Sequence, residues 1–144
     1  MKLSYININS FRSIKEATIN IGDLTAIVGE NNAGKSAILR AINCFFNYDD
    51  EEESFKSKSH QYSPRSITRI RLQFIDVPND VNENVQSGEL TVCFEYNYSK
   101  HKKTIRIITN DGRINAPSDI ILRIKNHIDY IYIKANRGAE DLDW

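Results

Sequence analysis

Residues 29–36 read Gly29-Glu30-Asn31-Asn32-Ala33-Gly34-Lys35-Ser36, the spacing G-x-x-x-x-G-K-S. Few eight-residue stretches restrict a fold as much. Gly29 and Gly34 allow the backbone to turn, and to approach another group closely, where a Cβ would collide. Asn31 and Asn32 tolerate left-handed backbone angles better than most residues. Successive N–H groups of Asn32, Ala33, Gly34 and Lys35 are then free to point inward as an anion nest at the start of a helix, whose dipole favours negative charge. Lys35 adds a full positive charge for β- and γ-phosphates, and Ser36 a hydroxyl oxygen for Mg²⁺.

The flanks supply the context that such a loop requires. Before it, "LTAIV" is a short apolar run, as expected of a strand buried on both faces. After it, Ala37, Ile38, Ala41, Ile42, Phe45 and Phe46 fall on one stripe at helical period. Strand, glycine loop and helix follow in that order.

Upstream, "KLSYINI" and "KEATINI" around "NSFRS" predict a β-hairpin over about residues 2–21. Downstream of Asn47 the composition changes. Five consecutive acids, Asp49 to Glu53, open a polar run that predicts a flexible linker over 48–66. "ITRIRLQFI", "ELTVCFEYNY" and "KKTIRIITN" then alternate polar and apolar residues as strands do, and Asn110-Asp111-Gly112 signals a hairpin turn. "APSDIILRIKNHI" predicts a helix capped by Ser118, and "YIYIK" a last strand. The reading therefore has three parts: residues 1–47 (hairpin, loop strand and helix), 48–66 (linker) and 67–144 (an antiparallel β lobe with a helix and a returning strand).

Composition excludes more than it asserts. With 19 basic and 19 acidic residues among 144, global charge makes no case for nucleic acid or an anionic membrane. Cys44 and Cys93 form no C-x-x-C pair, and His60, His101 and His127 are scattered, so spacing argues for buried thiols in a reducing compartment rather than a metal cage. No apolar run approaches the ~20 residues that span a bilayer, and no signal-peptide pattern opens the chain. The expectation is a cytoplasmic protein without membrane contact. Lys100, His101, Lys102, Lys103 and Arg106 form a basic cluster at a hairpin tip, read as a solvated turn or as a contact for DNA phosphate or an acidic partner surface.

Taken together, "INSFRSIKEATINIGDLTAIVGENNAGKSAILRAINCFF" resembles the start of the RecF/SMC/OLD class of ABC-type ATPases. "FIDVP" at 74–78 and "HIDYIYIKANRG" at 127–138 are similar to OLD-like nucleases, with Lys134 where proline is usual. The resemblance implies an α/β P-loop NTPase fold, the first half of an ABC/RecF-type head, with a mixed sheet and an antiparallel β lobe. It implies ATP and Mg²⁺ as ligands, held by Gly29, Asn31, Asn32, Ala33, Gly34, Lys35 and Ser36, with Ser36 on the metal and Arg12 and Ser13 beside the nucleotide. It implies a second ATPase head as partner, in a homodimer or higher oligomer. In the whole protein it implies action on DNA as an ATP-gated endonuclease, in repair or phage defence.

The sequence also departs from that pattern. No Walker B strand ending in Asp-Glu, no signature motif, no late histidine and no acidic nuclease half is found, and Asp76 in "QFIDVP" has no carboxylate after it. Gln73, a candidate for the class's magnesium-sensing glutamine, comes too early and on a polar strand face. No complete catalytic set is therefore expected, and "AEDLDW" reads as an interrupted element. Two other functions compete with the ATPase lobe: a non-catalytic nucleotide-binding module that regulates a partner head, and a small P-loop kinase, against which the antiparallel run argues.

Overall fold

The computed structural model describes residues 1–21 and 33–128, and of residues 33–35 the backbone alone. The expected strand "LTAIV", loop residues Gly29, Asn31 and Asn32, the side chain of Lys35, and the strand "YIYIK" with the tail after it lie outside the described residues.

Nine elements are described. They are β1 (Lys2–Phe11), β2 (Ile14–Asn20), α1 (Ala33–Phe46), α2 (Tyr48–Lys56), β3 (Thr68–Ile75), β4 (Leu90–Asn97), β5 (Lys102–Thr109), β6 (Gly112–Asn115) and α3 (Ile120–Lys125). The hairpins and the strand alternation follow the sequence reading closely. Helix α3 is shorter than expected, and its N-cap is Asp119 rather than Ser118.

The six strands form one sheet in the order β2-β1-β3-β4-β5-β6, antiparallel throughout. The N-terminal hairpin and the β lobe, read from the sequence as separate parts, are thus continuous. β1 pairs with β3 from Lys2↔Ile75 to Asn9↔Arg69, with one bulge between Leu3 and Tyr5. Alternation gives the sheet two faces. Ile6, Ile8, Ile70, Leu72, Phe74, Leu90, Val92, Phe94, Tyr96 and Ile107 are buried on one of them. Asn7, Asn9, Arg69, Arg71, Gln73, Glu95 and Arg106 follow the other, polar face.

Helix α1 covers the apolar face. Its expected stripe is buried throughout, and so are Leu39, Asn43 and Cys44, so the helix is enclosed on more than one side. Phe45 and Phe46 meet Phe74 at ring separations of 6.2 and 6.3 Å.

Residues 48–56 correct the linker expectation. They form α2, with Asp49, Asp50 and Glu51 in its first turn and Lys56 in its last, the arrangement that the helix dipole favours. Tyr48, Glu51 and Phe55, at i, i+3 and i+7, face inward. Phe55 has no exposed surface and lies 4.6 Å from Tyr96, 5.5 Å from Phe94 and 4.7 Å from His60. Burying such a ring stabilises the fold by about 3 kcal/mol, enough to dock a helix whose outer face is mostly charged. Beyond α2 the chain stays attached, because Gln61 bridges to Phe11 at the end of β1.

Candidate functional site

The phosphate-loop motif leads directly into α1. The helix begins at Ala33, so Ala33, Gly34 and Lys35 provide its first-turn backbone, with Ser36 half-buried just behind. The first N–H groups of a helix have no partner within it, and no acidic side chain occupies that turn. This end is therefore fit to receive an anion. Along the helix, Ser36, Arg40, Asn43 and Asn47 recur at spacings of four, three and four and share one stripe.

That stripe meets a buried polar network. Glu51 reaches from α2 to α1, where Asn43 Nδ2 donates to its Oε2 at 2.8 Å and Arg40 Nε lies 3.4 Å from its Oε1. Asn47 Nδ2 donates in turn to Asn43 Oδ1 at 2.7 Å. His60 Nε2 is 2.9 Å from Glu51 Oε1, and both side chains are completely buried. On its other side, His60 Nδ1 accepts from Arg12 Nε at 2.9 Å. The Nε–H of arginine only donates, so Nδ1 must be unprotonated and the proton of a neutral His60 sits on Nε2, pointing at Glu51.

The electrostatics follow from this geometry. Burial opposes the charge on Glu51, but the hydrogen bonds from His60 and Asn43 and the nearby Arg40 outweigh it and hold the carboxyl below its ordinary range. Burial pushes His60 down and keeps it neutral, against the pull of Glu51. Burial and the Arg40 charge lower Arg12, which Glu51 partly offsets. Cys44 is pushed well up by burial and then by Glu51, so it remains a thiol.

Cys44, Glu51 and His60 bring their donor atoms within 4.8 Å of one another, a proximity that spacing along the chain did not suggest. They do not amount to a metal cage. Both nitrogens of His60 and both oxygens of Glu51 already have protein partners, and the guanidinium groups of Arg12 and Arg40 would repel a cation.

Arg12 and Ser13 occupy the β1–β2 turn. Ser13 is exposed, whereas Arg12 is half-buried with φ of 53°, a left-handed conformation that costs a non-glycine residue about 1 kcal/mol. Its backbone N–H donates to the His60 carbonyl at 2.8 Å, so His60 grips Arg12 twice. Gln73 follows the polar face of β3, with the sheet between it and α1. Asp76 is exposed in the turn after β3, with φ of 53°.

The basic hairpin tip is not one patch. Lys103 stands 4.3 Å over the Tyr48 ring at the start of α2, while Arg106, opposite Cys93, belongs to the polar sheet face. Tyr96 and Tyr98 are buried against Phe55 and offer no stacking surface. Among the described residues no helix is long and apolar enough to cross a membrane.

Glu51 and His60 went unrecognised as site residues in the sequence reading. The helical spacing of Tyr48, Glu51 and Phe55 was available as a signal, but the surrounding acids obscured it.

Comparison with known proteins adds four findings. Residues 1–140 match the family model described as an AAA ATPase domain. An uncharacterised protein of Methanocaldococcus jannaschii is 37% identical over 83 residues, which is 53% of this chain and 25% of that protein. The OLD nuclease of Thermus scotoductus is 48% identical over 40 residues, 28% of this chain and 8% of the nuclease. A solved structure from work on ATP-driven dimerization and DNA-stimulated activation of SMC ATPases superposes with a TM-score of 0.64 at 15% identity, covering 87% of this chain and 78% of that one. The chain spans a quarter or less of the length of these two sequence relatives, and the structural likeness speaks for the fold alone.

Proposed function

Because this chain belongs to the AAA ATPase domain family, and is OLD/SMC-like within it, we propose that it binds ATP with Mg²⁺ at the start of α1. Backbone amides of Asn32, Ala33, Gly34 and Lys35 cradle the phosphates in a loop that Gly29 and Asn31 allow to turn, the Lys35 ammonium group neutralises them, and the Ser36 hydroxyl holds the metal. Arg12, with Ser13 beside it, faces the nucleotide from the β1–β2 turn. The observation that carries this reading is the emergence of α1 straight from the G-x-x-x-x-G-K-S motif, with a first turn free of acids.

Hydrolysis in this reading requires a second head across the nucleotide, in a homodimer or higher oligomer. The SMC structure comes from work on ATP-driven dimerization, which supports a paired state for this chain too. Action of the whole protein on DNA, as an ATP-gated nuclease in repair or phage defence, draws its support from the OLD nuclease relative.

Calorimetric titration of the chain with ATP in the presence and absence of Mg²⁺ tests the proposal, and absence of binding by the folded chain overturns it. Binding without turnover at every protein concentration would instead favour a regulatory module over a working ATPase.

A further inference from the structure

Arg12 takes its left-handed conformation in the two-residue turn closed by Phe11 and Ile14, and two of its hydrogen bonds go to a single residue. His60 accepts from its side-chain Nε and from its backbone N–H. Through Nε2 the same ring is tied to Glu51, which grips Arg40 and Asn43 on the stripe of α1 that begins with Ser36. The guanidinium is a planar fork of five donors, and His60 engages its Nε–H, the side opposite to the two Nη groups that can pair with an anion. Strain maintained by surrounding structure is a reason to look for function.

We propose that His60 is a positioning residue for nucleotide binding: through the Glu51–His60–Arg12 chain it sets the Arg12 guanidinium relative to the helix that carries the phosphate loop. The inference rests on the reading that Arg12 faces the bound nucleotide. His60 itself does not touch the ligand. Glu51 fixes its tautomer, the tautomer leaves Nδ1 free to accept, and that acceptor orients Arg12 through its Nε–H. Protonation of His60 would remove the acceptor and set an imidazolium against a guanidinium. The charged and titratable groups facing the ring are Arg12 from the turn, Arg40 and Cys44 from α1, and Glu51 from α2, with Tyr98 of the sheet beside Arg12.

Two substitutions separate the functions of the ring's nitrogens. In His60→Asn the amide oxygen reaches the place of Nδ1 and keeps an acceptor for Arg12. In His60→Gln the amide reaches the place of Nε2, keeping the link to Glu51 and losing the acceptor. Mg-ATP affinity would be measured by calorimetry for the wild-type chain, H60N, H60Q, R12A and the R12A/H60Q double variant, with folding checked by circular dichroism. The expected result is about a tenfold loss of affinity in H60Q and in R12A, no further loss in the double variant, and near-normal affinity in H60N. Lowering the pH through the His60 titration should weaken ATP binding in wild type more than in R12A, a comparison that needs no variant of His60. Equal losses from H60Q with and without Arg12, or the same pH dependence in both proteins, overturns the proposal. If R12A binds ATP normally while K35A does not, the placement of Arg12 at the nucleotide fails and the inference falls with it. If K35A also binds normally, the phosphate-loop reading itself has failed.

Discussion

Glu51 Oε1 and His60 Nε2 stand 2.9 Å apart with neither side chain exposed, in a stretch whose composition is that of a solvated linker. The contact places a carboxylate in the core directly behind the helix of the phosphate loop. Its value to the fold depends on how many partners it satisfies at once: His60, Asn43 and Arg40.

Glu51→Ala should destabilise the chain by on the order of 3 kcal/mol, since it orphans the buried donors of His60 and Asn43 and removes the carboxylate beside Arg40. Urea unfolding at neutral pH measures it. A loss within a few tenths of a kcal/mol would show that the pocket admits water instead.

The network makes stability acid-sensitive, and both groups act with the same sign. The folded-state pKa of His60 is lowered, so the unfolded chain gains a proton first, and stability falls as pH drops below about 6.5. That of Glu51 is also lowered, so its contribution is complete above about pH 4.3 and is lost as pH falls through the folded value. Urea midpoints measured from pH 8 to 3 should fall in both windows for wild type, and the lower window should flatten in Glu51→Gln.

Phe55→Ala should cost about 3–5 kcal/mol, because the ring fills the space between α2 and the aromatic face of β4. Phe55→Leu should cost less. Comparable unfolding midpoints for wild type and Phe55→Ala would mean that α2 is not held by its apolar face.

Lys35→Ala should abolish ATP binding while leaving the thermal transition unchanged, since the proposed role of the ammonium group is toward phosphate alone. Titration calorimetry paired with a melt checks both halves.

At the hairpin tip, Lys103→Ala should remove up to about 1 kcal/mol of stability through its Tyr48 contact. Lys100→Ala with Lys102→Ala should leave stability unchanged. If the tip meets DNA phosphate, the double variant should lower the slope of log affinity against log salt by about two. An unchanged slope removes the tip from any DNA interface.

What could be read from the sequence was whatever repeats within one element. Alternation marked β3, β4 and β5, the Asn-Asp-Gly turn marked the step to β6, and the apolar stripe from Ala37 to Phe46 marked α1. Helix α2 was obscured because only Tyr48 and Phe55 carry its apolar signal, and their burial depends on Phe94 and Tyr96, some forty residues further along the chain.

The sequence alone thus determined the phosphate-binding motif, the family resemblance and the periods of the main elements, since these are encoded by neighbours along the chain. Tertiary structure decided that hairpin and lobe share one sheet, and that Arg12, Arg40, Asn43, Glu51 and His60 meet in one buried network. Both depend on which distant faces exclude water together. A histidine or glutamate in isolation carries no mark of the partner that will permit its burial.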